Sequence, residues 1–121
     1  MRQKITIPIP PSVNKMFIFN KYTHQKIYKQ ETRDYYEYNT LVLGNWVKTH
    51  HVKPVAKYEY FDMKFFLKNS SMDSHNLKKV AFDLLEKAGV VENDKWILDR
   101  TQSIEIDKEN PRIEISWLSP A

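Results

Sequence analysis

One amphipathic helix, flanked by period-two segments on both sides, sets the limits on what this chain can fold into. Between residues 74 and 88, Leu77, Val80, Ala81, Leu84, Leu85 and Ala88 form one apolar stripe, the recurrence of a helix with a single buried side. Asn76, Lys79, Asp83 and Glu86 fall on the opposite side, and Phe82 lies just off the stripe, marking a wider buried face or a subunit contact. Gly89 is placed to supply a left-handed C-terminal cap. Before the helix, residues 57–68 alternate, with Phe61, Met63, Phe65 and Leu67 on one face and Tyr60, Asp62, Lys64 and Lys68 on the other. After it, residues 101–106 and 112–117 alternate again, joined by Asp107-Lys108-Glu109-Asn110-Pro111, and predict a terminal hairpin.

The remaining segments fit the same pattern. Ile5, Ile7 and Ile9 share one face of a strand, and Pro8 on the other face predicts an edge position. Pro10-Pro11-Ser12-Val13-Asn14-Lys15 then opens a loop. Residues 16–30 mix aromatic and basic side chains, with a short strand expected near 26–28. Tyr35, Tyr38, Leu41, Val42 and Trp46 recur at helical spacing and predict a helix over about 31–50, with Thr32 as N-cap, Gly44 as a tolerated weak point and Pro54 beyond its end. The order β, loop, α, β, α, β, β predicts an α/β (α+β) fold: a mixed sheet packed with two main helices. A chain of 121 residues supports one core, so 1–121 is read as one domain.

Composition narrows the function. No apolar run approaches a membrane span, and the N-terminus lacks the apolar core of a signal peptide. The lack of cysteine excludes disulfides and thiolate metal sites and is compatible with a cytoplasmic protein. A formal net charge of +4 suits a polyanionic partner, although solubility alone explains it equally well. With only two glycines there is no phosphate-cradling glycine loop, hence no expected nucleotide cofactor, and no convincing serine triad is present.

The chemistry-bearing residues cluster around the central helix. Asp73 and His75 open it, and Glu92-Asn93-Asp94 follows it. Mg²⁺ takes oxygen ligands, commonly one or two protein carboxylates completed by water and substrate phosphate. A helix of this length separates its ends by roughly 20 Å, and four or five extended residues cover roughly 13 to 18 Å. A shared site for Asp73 and Asp94 is therefore feasible but tight. On spacing alone, the plainer assignment of Asp73 as N-cap and Asp94 as turn residue is favoured. Lys78 and Lys79 occupy the first turn, where the macrodipole disfavours cations and a phosphate would offset the cost. Lys79, beside Asn76 on the polar face, is placed to reach a scissile phosphate; a solvated surface lysine has the same signature. His75 suits a metal ligand, a proton shuttle or neither. His24, His50 and His51 lack ligand spacing and read as surface or loop residues. Basic and aromatic residues interleave at Lys15-Met16-Phe17, Lys21-Tyr22 and Lys26-Ile27-Tyr28-Lys29, a mixture suited to phosphate contact and base stacking.

These residues resemble the RusA-type Holliday-junction resolvases, small dimeric Mg²⁺-dependent endonucleases common in phages and prophages. Ile7-Pro8-Ile9-Pro10-Pro11-Ser12-Val13-Asn14-Lys15 is similar to that family's first strand and Pro-Pro-Ser-x-Asn turn. Asp73-Ser74-His75-Asn76-Leu77-Lys78-Lys79, followed by Ala81-Phe82-Asp83-Leu84-Leu85 and Lys87-Ala88-Gly89, resembles its Asp-x-Asp-Asn-Leu-x-Lys helix signature. Val91-Glu92-Asn93-Asp94 resembles the acidic pair beyond that helix. The resemblance implies Asp73, His75, Lys79 and Asp94 as the catalytic set. Asp73, His75 and Asp94 would hold Mg²⁺, and Asn14, Lys15, Lys21, Asn76, Lys78 and Lys79 would contact DNA. His75 stands where the best-known members carry an aspartate and Asn93 where they carry the first residue of the acidic pair; an imidazole there favours Mn²⁺ more than a carboxylate would. The family also folds the segment after the helix back toward the helix start. The implied function is symmetric paired cutting of four-way junctions by a homodimer. A DNA-binding protein of the same fold that does not cut, or a fork or flap nuclease, is the alternative.

Overall fold

The computed structural model describes residues 1–10, 30–72 and 74–121 in full, and residues 17–19 and 26–28 by their backbone. The chain order is β1 (Arg2–Pro8), β2 (Phe17–Phe19), β3 (Lys26–Tyr28), α1 (Gln30–Thr49), β4 (Glu59–Leu67), α2 (Ser74–Lys87), a 3₁₀ turn (Asp94–Trp96), β5 (Ile97–Ile106) and β6 (Arg112–Leu118). This is the α+β arrangement expected, a mixed sheet with two helices. β2 and β3 form a small antiparallel pair of their own, with Ile18 opposite Ile27.

The main sheet has the order β1-β6-β4-β5. β6 runs antiparallel to both neighbours, with Ile5 opposite Ile115 on one side and Phe65 opposite Ile113 on the other. β1 is an edge strand, as Pro8 requires, because proline has no N–H to give a second neighbour. β4 and β5 are parallel, so α2 is the crossover that carries the chain back between them.

The expected terminal hairpin does not form. β5 pairs with β4, and β6 lies on the other side of β4. Alternating residues show that two segments are strands but not that they are neighbours, since one inserted strand leaves the pattern unchanged. Residues 107–111 step across the end of β4, a gap of roughly 10 Å or two strand spacings. Asp107 anchors the step: its N–H donates to the Leu67 carbonyl at 2.8 Å, and its carboxylate pairs with Arg112 at 2.9 Å.

The core lies between one face of the sheet and both helices. Phe61, Met63, Phe65, Ile113, Ile115 and Trp117 are fully buried, together with Leu77, Ala81, Leu84 and Leu85 of α2. Trp117 stacks on Phe61 with ring centroids 5.5 Å apart and meets Trp46 of α1 edge-on at 6.1 Å. The opposite sheet face is polar: Asp62 accepts from Arg2 at 2.6 Å and from Arg100 at 2.7 Å.

α1 departs from expectation in two respects. It starts at Gln30, so Thr32 is buried within the first turn rather than capping it. That turn is closed by side-chain bonds from Gln30 to Asp34 (2.7 Å) and from Arg33 to Gln30 (2.8 Å). Its buried side is also rotated from the apolar recurrence: Thr32, Tyr35, Tyr36, Asn39 and Leu43 face inward, whereas Tyr38, Leu41 and Val42 are exposed. Asn39 tolerates burial because its amide donates to the Tyr35 carbonyl at 2.8 Å. The Tyr35 hydroxyl donates to the Pro8 carbonyl at 2.5 Å, tying α1 to β1, and burial raises its pKa.

Candidate active site around helix α2

α2 ends as the sequence predicts. Gly89 takes φ 86°, its N–H donates to the Glu86 carbonyl at 3.2 Å, and that of Val90 to Leu85 at 2.9 Å. These are the two bonds of a Schellman cap, which turns the chain sharply off the helix axis. The returning segment is then pinned to the chain that follows α1. Val55 donates to the Val90 carbonyl at 2.9 Å and accepts from Glu92 at 3.0 Å, a parallel bridge between Val55 and Val91.

Asp94 arrives at a fixed place because of these bonds. Its backbone N–H donates to Glu86 Oε1 at 2.9 Å, so a carboxylate on the polar face of α2 holds the residue from below. Asn93 adds a second constraint: its side chain caps the 3₁₀ turn by accepting from the Lys95 N–H at 2.9 Å. An asparagine in place of the first acidic residue of the pair thus has a structural role in this chain.

Asp94 also lies within electrostatic reach of Asp83. Burial pushes the Asp83 carboxyl up from the ordinary range; Lys87 and the Tyr36 hydroxyl pull it back, and Asp94 and Glu86 push it further up. The Tyr36 hydroxyl donates to Asp83 at 3.4 Å, and the Lys87 ammonium sits 4.5 Å from the centre of the Tyr36 ring. The segment after α2 therefore comes back against the last turn of the helix, at Glu86.

The other expected residues divide into three groups. Lys78 pairs with Asp99 of β5 at 3.1 Å, which offsets that cation at the helix start. Lys79 and His75 are exposed on the first turns of α2, and Asn76 is half-buried. Asp73, Asn14, Lys15 and Lys21 lie outside the described residues. Among the described residues no three His, Asp or Glu side chains are grouped to hold a metal ion. The exposed Asp94 carboxylate, an oxygen donor with a second carboxylate nearby, nonetheless has the chemistry a hard divalent cation requires.

Sequence reading placed Asp83 and Glu86 on the polar face of α2 but assigned them no task. Their roles depend on contacts with Asp94 and Tyr36, which are distant in sequence. Glu86 gives a direct prediction. Glu86→Ala should speed hydrogen exchange at the Asp94 amide by about tenfold, the loss of one hydrogen bond. Glu86→Gln retains an oxygen acceptor and should leave the rate near wild type. Equal exchange in all three proteins would show that the bond does not restrain Asp94.

The comparison with known families is specific: the endodeoxyribonuclease RusA profile matches residues 8–116. The chain belongs to the RusA endodeoxyribonuclease family. No curated protein matches it. No helix among the described residues is long and apolar enough to cross a membrane.

Proposed function

We propose that the protein is a homodimeric, metal-dependent endonuclease that resolves four-way DNA junctions by paired symmetric cuts. The observation that carries this reading is the RusA match over 8–116, which spans Asp73, the whole of α2 and the restrained Asp94. A four-way junction has two-fold character, so a two-fold dimer offers one site to each of two opposed strands.

Asp73, His75 and Asp94 would hold Mg²⁺ or Mn²⁺. Such an ion, when bound, activates water and stabilises the leaving oxyanion in phosphodiester hydrolysis. The chain's own groups supply the rest. Glu86 and the Val55–Val91 bridge fix the Asp94 backbone before substrate arrives, so that no ordering is needed at the moment of reaction. The exposed Lys79 neutralises charge on the phosphate. Asn14, Lys15, Lys21 and Asn76 contact DNA, with Lys78 joining them where a phosphate competes with Asp99. Such an enzyme acts on DNA in recombination and repair in the cytoplasm.

His75 favours one second reading. With an imidazole in place of a carboxylate, the same fold could bind branched or single-stranded DNA without cutting, or cut a fork or flap instead. Cleavage mapping on junction, fork, flap and duplex DNA separates these readings. The resolvase places paired nicks at related positions on opposed strands of the junction and leaves duplex intact. Preferential cutting of forks or flaps would replace the junction as substrate, and binding without cutting under either ion would move the protein to the non-cutting class.

A further inference from the structure

Two lysine–aromatic dipeptides meet where β4 and β5 begin, at the end of the sheet next to Asp94. Lys57-Tyr58 leads into β4 and Lys95-Trp96 into β5. The parallel register sets Glu59 opposite Ile97 and so brings Tyr58 beside Trp96. Their rings meet edge-on with centroids 5.2 Å apart. The Lys95 ammonium lies 4.7 Å from the centre of the Trp96 ring.

Packing does not account for this group. Trp96 is half-buried against the core, but Tyr58 is 62% exposed, and so gains little from burial. An edge-on contact restrains its ring without stacking on it. The next exposed tyrosine, Tyr60, differs: the Arg100 guanidinium lies 4.1 Å from its ring centre and is anchored there by Asp62 at 2.7 Å. Lys95 is exposed, and no salt bridge among the described residues ties its ammonium down. It can leave the ring.

Chemistry and position select the occupant. Asp94 and Trp96 stand on one 3₁₀ turn, in which the Trp96 N–H donates to the Asn93 carbonyl at 3.1 Å. Two Cα steps keep them within about 7.6 Å of each other. A DNA strand whose phosphate faces Asp94 therefore brings an adjoining nucleotide within reach of the rings. Aromatic faces beside lysines suit a nucleotide, the base on the ring and the phosphate on the ammonium. In continuous duplex each base is covered above and below by its neighbours. A branch point interrupts that stack and offers a face that duplex lacks.

We propose that Tyr58 and Trp96 form a stacking platform for an unstacked base at the branch point, with Lys95 leaving the Trp96 ring to meet the adjoining phosphate. The inference rests on the proposed junction substrate and adds which part of it is recognised. It selects branched over duplex DNA through a contact that reads no sequence.

Binding titrations in chelator, on a four-way junction and on duplex of the same sequence, test it, with thermal melts to confirm that each variant is folded. Tyr58→Ala should weaken junction binding by about tenfold and leave duplex binding nearly level. Tyr58→Phe keeps the ring and should bind the junction like the wild type. Lys95→Ala should reduce the salt dependence by about one phosphate contact, and Tyr58→Ala should not. A junction carrying iodouracil at the branch point should photo-crosslink to Tyr58 or Trp96. Equal losses on junction and duplex, wild-type junction binding by Tyr58→Ala, or a crosslink that lands elsewhere would overturn the platform. Junction cleavage by the same proteins keeps the two questions apart. Paired cutting by a protein indifferent to Tyr58→Ala sinks the platform but not the resolvase. Ring-dependent junction binding without cutting under Mg²⁺ or Mn²⁺ supports the platform and sinks the resolvase.

Discussion

Asp94→Asn is expected to give a folded protein that binds a four-way junction but cuts it slower by on the order of a hundredfold or more. The change is nearly isosteric and keeps the backbone N–H that donates to Glu86. The Asn93 cap and the Val55–Val91 bridge are untouched, so the loop should hold its place. What is lost is one negative oxygen donor at an exposed position within electrostatic reach of Asp83. Junction affinity should stay level or rise slightly, because a carboxylate facing a phosphate backbone repels it. Gel-shift titration and single-turnover cleavage on the same junction separate the two effects. Wild-type cutting by this variant would remove Asp94 from the catalytic set.

Trp117→Ala should destabilise the fold by about 3 to 5 kcal/mol, the range for deleting a large buried aromatic side chain. Trp117 is fully buried on β6, inside the sheet rather than at its edge. It joins three elements through its stack on Phe61 of β4 and its edge contact with Trp46 of α1. Removing it opens a cavity where α1 meets the sheet, and a domain of this size has only about 5 to 15 kcal/mol in total. Its Nε1–H meets no acceptor among the described residues. Trp117→Phe, which removes that donor and retains a ring, should therefore cost much less than the alanine change. Urea unfolding midpoints check both. A loss below about 1 kcal/mol for Trp117→Ala would mean the site closes over the missing ring.

The elements that were legible in the sequence are those where two independent signals coincide. α2 carries an apolar stripe and a glycine at its end, and Gly89 adopts the positive φ that the stripe's end demands. β4 carries clean alternation, and its buried face is Phe61, Met63, Phe65 and Leu67 as expected. α1 carries aromatic and aliphatic residues on two sides. Hydropathy selected the side with Tyr38, Leu41 and Val42, whereas the protein buries the side with Thr32 and Asn39. Burial of an asparagine depends on the Tyr35 carbonyl that pairs with it, which no count of apolar residues reveals. The β5–β6 connection was misread for a different reason, because strand adjacency depends on β4 entering between them.

The site divides in the same way. Asp94 stood out as an acidic residue beyond a capped helix, and the structure gives it a fixed place. Glu86 and the Tyr36–Asp83 contact were not legible, because a carboxylate on a polar helix face looks solvated until a distant segment returns to it. The Asp99 partner of Lys78 was likewise not legible, because it comes from a strand that follows Lys78 by some twenty residues.

The most direct test of the central claim is incubation of the purified protein with a synthetic immobile four-way junction. Mg²⁺, Mn²⁺ or chelator is added, beside an Asp73→Asn control, and the nicked strands are mapped. The account predicts paired nicks at symmetric positions on opposed strands, present with one or both ions and absent with chelator and in the control. Cutting that survives chelation, or an Asp73→Asn protein that cuts like the wild type, would contradict it.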